Sequence, residues 1–339
     1  MQTVAVGIFS ASEMAIDLGT ANTCIYARGA VALSEPSVIA FNTAHGGVEA
    51  VGAAARDMMG RAPANINPVW PVRSGAIADF GAVEKMLAHF VKKARGRNYS
   101  RARLVIGVPA ASTQVERRAV KDSAHRMRVK DVHLVDEPMA AAIGAGLPVA
   151  AARGNMIIDI GGGTTDIAVV SLAGLVYAHS LRLAGGEMDE AIIQHLKRQH
   201  NLLIGQPTAE RIKCEIGSAA PLEKPLKMEV KGRHLSEGVP RTVTLTDAEV
   251  RSALSEPIRT IVRAVREALD CVPPELCGDI YEHGVVLTGG VAFLRKLDEH
   301  LRKETGLPVV KAEQPLDTVV IGAGKLLSDH ALLSKVALH

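Results

Sequence analysis

At 339 residues the chain is long for one core and suits two domains of ordinary size. With 47% hydrophobic and 22% charged residues it is not a disordered chain, and aromatics at 3% require an aliphatic core. A net charge of +3, with no Lys/Arg run interleaved with aromatics, excludes nucleic acid as the expected partner.

Cys24, Cys214, Cys271 and Cys277 show no C-x-x-C spacing, so reduced structural thiols are expected rather than a metal site or a disulfide. The N-terminus lacks a Lys/Arg region ahead of its apolar residues, so no cleaved signal peptide is expected. Its apolar residues Val4, Val6, Ile8 and Phe9 are spaced more as in a strand than as in a helix.

The first landmark is Met14-Ala-Ile-Asp17-Leu-Gly19-Thr20-Ala-Asn22-Thr23-Cys-Ile-Tyr26. Apolar β-formers, an Asp, a Gly/Thr turn and apolar residues again predict a β-hairpin with an acidic residue at its bend. Residues 35–74 mix short alternating segments with turn residues and predict a small β-containing lobe. Asp79 is placed to cap a helix with Val83, Met86, Leu87, Phe90 and Val91 on its apolar face. Leu104-Val-Ile-Gly107-Val-Pro109 predicts a strand running into a turn, with a helix over 114–128 behind it. In Asp136-Glu137-Pro138 the proline predicts an extended Glu137 ahead of the next helix. That helix opens the longest apolar run, residues 139–152, whose 14 residues include Gly and Pro. A bilayer span needs roughly 20, so a buried helix and its exit are expected.

The hairpin pattern returns at Met156-Ile-Ile-Asp159-Ile-Gly161-Gly162-Gly163-Thr164-Thr165-Asp166, with Asp159 lying 142 residues after Asp17. A helix over 187–200 turns Ile192, Ile193 and Leu196 inward, and residues 222–245 predict a second small β lobe. A helix over 257–269 carries Ile258, Ile261, Val262, Val265 and Leu269 in one stripe. Val285-Val-Leu-Thr288-Gly289-Gly290 predicts a strand running into a Gly turn, followed by a helix over 293–305. Both halves thus run Asp-hairpin, further sheet, then strand–loop–helix, which reads as an internal duplication.

Gly/Thr turns directly after strands point backbone N–H groups and hydroxyls at a phosphate. Asp17 and Asp159 would repel a polyphosphate unless a hard cation such as Mg²⁺, keeping its waters, stood between; the alternative is a pair of ordinary turn aspartates. Gly322-Ala-Gly324-Lys325 is not a Walker A loop, because Leu326 stands where Ser/Thr is required. Glu210 and Lys213 lie one helical turn apart on one face, as a surface ion pair or as ligand contacts.

The chain resembles the MreB branch of the bacterial actins over nearly its whole length. The likeness is carried by Ile16-Asp-Leu-Gly-Thr-Ala-Asn-Thr23, Val115-Glu-Arg-Arg-Ala119, Glu137-Pro-Met-Ala-Ala-Ala-Ile-Gly144 and Asp159-Ile-Gly-Gly-Gly-Thr-Thr-Asp166. It continues in Met188-Asp-Glu-Ala-Ile192, Ala209-Glu-Arg-Ile-Lys213 and Thr288-Gly-Gly290. It implies an α/β fold of the actin-like ATPase type: two duplicated RNase H-like domains, each with a smaller inserted subdomain, and a nucleotide cleft between them. The expected subdomains are IA (1–34, 75–152 and 317–339), IB (35–74), IIA (153–184 and 247–316) and IIB (185–246).

By the same likeness ATP is the cofactor, with Mg²⁺ at Asp17 and Asp159. Thr20, Ala21 and Asn22 form the first phosphate loop, and Gly161, Gly162, Gly163 and Thr164 the second. Glu210, Arg211 and Lys213 are the expected ribose and adenine contacts, and Gly289, Gly290, Val291 and Ala292 line the base. Val291 departs from the third glycine usual at that point. Glu137 is the candidate hydrolytic residue, assisted by Thr164, where the alternative for Glu137 is a helix cap.

The implied function is a filament-forming, ATP-dependent cytoskeletal protein with weak ATPase activity that organises cell-wall elongation and rod shape. The implied partners are further copies of itself, stacked head to tail in antiparallel protofilament pairs, with the inner-membrane surface and cell-wall elongation membrane proteins. Its implied place is cytoplasmic, peripheral at the inner face of the bacterial cytoplasmic membrane. The usual apolar membrane loop is replaced at residues 95–103 by a basic one whose only large apolar residue is Tyr99. The alternatives are a paralogue that binds ATP without polymerising alone, or a small-molecule kinase of the same fold. A chaperone of that fold is expected to need a long C-terminal domain, for which the sequence leaves no room.

Overall fold

The computed structural model describes residues 13–95, 103–126, 129 and 131–338. The apolar residues Val4 to Phe9 and the basic loop around Tyr99 lie outside the described residues. By its contacts the chain divides into two compact units: residues 1–152, 170–175 and 317–339, and residues 153–169 and 176–316.

The first unit is built on a six-stranded sheet ordered Ala337–Leu338, Asp131–Asp136, Arg103–Val108, Glu13–Leu18, Asn22–Ala27, Ala30–Pro36. Glu13–Leu18 and Asn22–Ala27 form the predicted antiparallel hairpin, with Asp17 opposite Cys24 and Leu18 opposite Thr23. Arg103–Val108 joins the other side in parallel, placing Gly107 beside Asp17, and Asp131–Asp136 extends that parallel run. The helix Phe80–Arg95 starts where Asp79 accepts from the Ala82 N–H, and it buries Val83, Met86, Leu87, Phe90 and Val91 against the sheet core. Each such side chain contributes about 1.5–3 kcal/mol on burial. The lobe expected at 35–74 is a three-stranded sheet of Ile39–Asn42, Val48–Val51 and Ile66–Val69 plus the short pair Val72–Arg73 and Ala76–Ile77.

The second unit repeats the plan with a five-stranded sheet ordered Gly174–Leu181, Thr165–Ser171, Asn155–Ile160, Val285–Thr288, Val309–Lys311. Counted in chain order within its sheet, this is 3-2-1-4-5, the order the first sheet follows before its terminal strand is added. Asp159 is the fifth residue of its strand, as Asp17 is of its own, and each stands beside a parallel partner, Thr288 and Gly107 respectively. The duplication read from the motifs is therefore a duplication of topology. The second β lobe is a hairpin of Lys227–His234 and Pro240–Thr246 edged by Leu202–Leu203.

Three expectations are corrected. Glu137 is the first residue of the helix Glu137–Gly144, and the extended residue is Asp136 before it (φ −60°, ψ 130°). Proline in the first helical turn removes only an N–H that would be orphaned anyway, so the steric bias against a helical residue before it is overcome. The helix expected from residue 257 begins at Asp247 and runs to Cys271, with Pro257 inside it. A reciprocal cap starts it: Thr246 Oγ1 accepts from the Glu249 N–H and Glu249 accepts from the Thr246 N–H. Ten residues of capped, apolar-faced helix before the proline outweigh one lost bond. The helix expected over 293–305 is a 3-10 turn, Gly290–Phe293, then Leu297–Thr305, separated at left-handed Lys296 (φ 62°).

Candidate functional site

In the first unit the site residues collect at the carboxyl ends of three adjacent strands. The turn after Glu13–Leu18 is tied down from below. The Ser37 N–H donates to the Ala21 carbonyl at 2.9 Å, and the Ser37 hydroxyl donates to the Gly19 carbonyl at 2.7 Å. Gly19 is required there, because a Cβ would lie 2.7 Å from the Asn22 carbonyl oxygen. Thr20 Oγ1 accepts from the Gly75 N–H at 3.0 Å, and Asn22 already belongs to the second strand. Of the three expected loop residues, Thr20 and Ala21 thus form the turn itself.

Asp17 does not face this turn alone. Burial, and next the neighbouring Asp317 carboxylate, push its pKa up to about 7. Asp317 precedes the helix Thr318–Ser328 but makes no side-chain cap; it pairs with the Cys24 thiol instead, and its own pKa is raised by burial. Cys24, hydrogen-bonded to Ser34, is pushed up to about 12, chiefly by burial and then by Asp17, so it is an inert thiol. Asp317 went unread in the sequence, where its only signal is its place before a helix start.

Glu137 is half-buried and follows the strand Asp131–Asp136 that pairs with Gly107's strand. A Cβ on Gly107 would come within 3.3 Å of Glu137 Cγ, so that glycine leaves the space the glutamate occupies. Behind it, the helices Glu137–Gly144 and Thr318–Ser328 touch backbone to backbone. A Cβ on Gly144 would lie 1.8 Å from the Thr318 oxygen, and one on Gly322 would lie 1.8 Å from the Ala140 oxygen. Gly322-Ala-Gly324-Lys325 is therefore helical packing, as the rejection of a Walker loop implies, and Lys325 Nζ donates to the carbonyls of Ile143 and Gly144 at that helix's end.

In the second unit residues 161–164 form the turn after Asn155–Ile160, closed by the Gly161 N–H donating to the Thr164 carbonyl at 2.9 Å. The start of the helix Gly185–His200 braces it: Gly185 and Gly186 donate to the carbonyls of Gly161 and Gly162. Thr164 hydrogen-bonds the buried carboxylate of Asp166, which also pairs with Ser180 and whose pKa burial raises. Glu187 is committed to capping, accepting from the Ala184 N–H at 2.9 Å. Gly289 (φ +84°) must be glycine, since a Cβ would meet Asp159 Oδ1 at 2.4 Å.

Lys213, on the helix Gln206–Ile216, pairs with Asp189 at 2.7 Å and donates to the Gly185 carbonyl at 2.7 Å. Burial raises Asp189 to about 6 despite Lys213, with Glu210 and Glu187 adding to the rise. Lys213 and Val291 are thereby gathered around Gly185, whose Cβ position is 3.2 Å from Lys213 Nζ and 3.4 Å from Val291 Cγ2, and Glu210 is near enough to Asp189 to raise its pKa. Arg211 points to solvent, Gly290 is exposed, and Ala292 is buried. Val291 is only 6% exposed, so its branched side chain fills core rather than projecting from the turn.

Two units of one topology, each with an Asp and a glycine turn at matching strand ends, match known proteins throughout. The model of the MreB/Mbl protein family covers residues 11–335. The chain belongs to the MreB/Mbl family. It is 52% identical over 328 residues to the cell shape-determining protein MreB of Escherichia coli (strain K12), covering 95% of this chain and 94% of that one. It is 43% identical to the cell shape-determining protein Mbl of Bacillus subtilis (strain 168), covering 96% and 98%. Among solved structures it superposes on MreB 5 of Spiroplasma citri bound to AMPPNP with a TM-score of 0.91 at 34% identity, covering 94% and 96%. A MamK double helical filament, TM-score 0.79 at 21% identity, shares the fold. The α/β fold is that of the actin-like ATPases. No helix among the described residues is long and apolar enough to cross a membrane.

Proposed function

We propose that this chain is a cell-shape-determining bacterial actin homologue that binds ATP and polymerises into membrane-associated filaments. The observation that carries the reading is the repeated strand-end Asp beside a glycine turn, Asp17 with residues 19–22 and Asp159 with residues 161–164. Solved MreB 5 of Spiroplasma citri is bound to AMPPNP in one structure and to ADP in another, which supports nucleotide binding here.

The donor sets fit the ligands. Gly19 and Gly161 keep side chains off turns whose N–H groups suit phosphate. Asp17 beside Asp317 is a pair of carboxylates that a proton or a hard cation must relieve. Mg²⁺ held through water by Asp17 and Asp159 would supply that positive charge, letting carboxylate and phosphate oxygens share one site. Glu137 orients and deprotonates the attacking water, and Thr164, held by Asp166, assists from the second turn. Glu210, Arg211 and Lys213 contact ribose and adenine, and the backbone of Gly289, Gly290, Val291 and Ala292 lines the base, the Val291 and Ala292 side chains packing into the core behind it.

Copies stack head to tail, a contact that does not close on itself and so grows filaments. The basic residues of the 95–103 loop favour an anionic inner-membrane leaflet at about 1 kcal/mol each. Electron microscopy of the purified protein with ATP and Mg²⁺ on anionic lipid is expected to show antiparallel filament pairs. Absence of filaments under varied salt and nucleotide would leave instead a nucleotide-binding paralogue that needs a partner chain. Liposome co-sedimentation indifferent to anionic lipid would overturn the electrostatic attachment.

A further inference from the structure

Away from the glycine turns, the second unit carries a cluster that nucleotide binding does not use. His195 and His200 lie in the last turns of the helix Gly185–His200, and Glu249 lies in the first turn of Asp247–Cys271. One ligand atom from each lies within 4.8 Å of the other two, the one such trio of His, Cys, Asp or Glu among the described residues. His200 Nε2 is 2.9 Å from Glu249 Oε1. The other carboxylate oxygen, Oε2, accepts from the Thr246 N–H at 2.9 Å and the Thr246 hydroxyl at 2.8 Å, so the glutamate is fixed in place. His195 Nε2 is buried with no hydrogen-bond partner. A buried ring nitrogen without a partner is uncommon and calls for a water or an ion.

We propose that His195, His200 and Glu249 bind a divalent transition metal of the Zn²⁺ class. Two imidazoles and a carboxylate are donors such ions accept, at about 2.0–2.2 Å from the metal. Glu249's hydrogen bonds to Thr246 are the supporting contacts that orient a metal-bound carboxylate. Three protein ligands leave a fourth position for water. His200 also lines an open cleft of ≈ 740 Å³ with Asn201, His234, Arg241 and Thr242. The metal would join the end of one helix to the start of another at the base of the β lobe.

The test uses the full-length protein, freed of metal with a chelator and kept without nucleotide, so its outcome is independent of the ATP reading. Titration with ZnCl₂ is expected to load one ion per chain and to raise the melting temperature. His195→Gln and His200→Gln are each expected to weaken Zn²⁺ binding by about 10–100-fold and to lose that rise. Glu249→Gln, which keeps an acceptor for the cap, is expected to weaken binding similarly. Co²⁺ is expected to give the visible absorbance of a four-coordinate nitrogen–oxygen site in wild type alone. A folding defect confined to His195→Gln leaves the assignment decided by His200→Gln and Glu249→Gln. Failure of the wild type to retain Zn²⁺, or equal binding by all the variants, overturns the proposal.

Discussion

Two carboxylates carry most of what can be measured one residue at a time. Glu137 follows a strand end with its Cγ against Gly107, outside both glycine turns, so under the proposed function Glu137→Ala removes the hydrolytic carboxylate and leaves the turn residues in place. Phosphate release by Glu137→Ala is expected to fall by at least about 100-fold, while ATP affinity stays within a few-fold of wild type. Wild-type phosphate release would move hydrolysis to another residue. Asp17 makes a pH prediction. Its folded pKa is raised from 3.8 to about 7, so between those values the native state keeps a proton that the unfolded chain releases. Without nucleotide or Mg²⁺, this site's contribution to stability is therefore greatest in acid and falls as pH rises from about 4 to 7. Asp17→Asn is expected to flatten that slope in denaturant titrations across pH.

At the scale of elements, the sharpest dependence is the crossing of Glu137–Gly144 with Thr318–Ser328. Backbone meets backbone there because Gly144 and Gly322 lack a Cβ, and a methyl at either would sit 1.8 Å from a carbonyl oxygen. Gly144→Ala and Gly322→Ala are each expected to destabilise by more than about 3 kcal/mol, read as a shifted denaturation midpoint. Ala323, between glycines but packed in the core, tolerates its own methyl and shows that the constraint is local. The long helix Asp247–Cys271 depends on its start instead. Thr246→Ala removes a cap oxygen and is expected to cost about 1 kcal/mol.

For the whole molecule, the two-turn reading predicts that either turn is indispensable for nucleotide. Gly161→Ala is informative because its Cβ would sit 3.5 Å from its nearest neighbour, the Thr164 carbonyl oxygen, an ordinary contact the fold accepts. A ligand at about 100 times its Kd stabilises by about 2.7 kcal/mol. Wild type is expected to show such a gain with Mg-AMPPNP, and Gly161→Ala in the second unit and Asp17→Asn in the first to lose most of it; without ligand Gly161→Ala is expected to melt as wild type does and Asp17→Asn no lower than wild type. Retention of the full gain by either variant would mean that its turn does not grip the phosphates.

Periodicity and turn chemistry alone determined much of this protein: the two Asp-hairpins, the apolar face of Phe80–Arg95, both β lobes and the duplication. These are patterns of neighbours in the chain, and local sterics with burial of one face dictate them. Residue identity also marked Glu137, the glycine turns and the family. Only the tertiary structure decided that Asp317 shares a pocket of charge with Asp17, that Ser37 anchors the first turn, that Asp166 holds Thr164, and that Val291 packs inward. It also decided where helices start, since a cap at Thr246 outweighed Pro257 and a first-turn position admitted Glu137. Each of these depends on groups distant in sequence or on a balance of competing local terms. The opposed carboxylates Asp17 and Asp317 are 300 residues apart, and no spacing rule joins them.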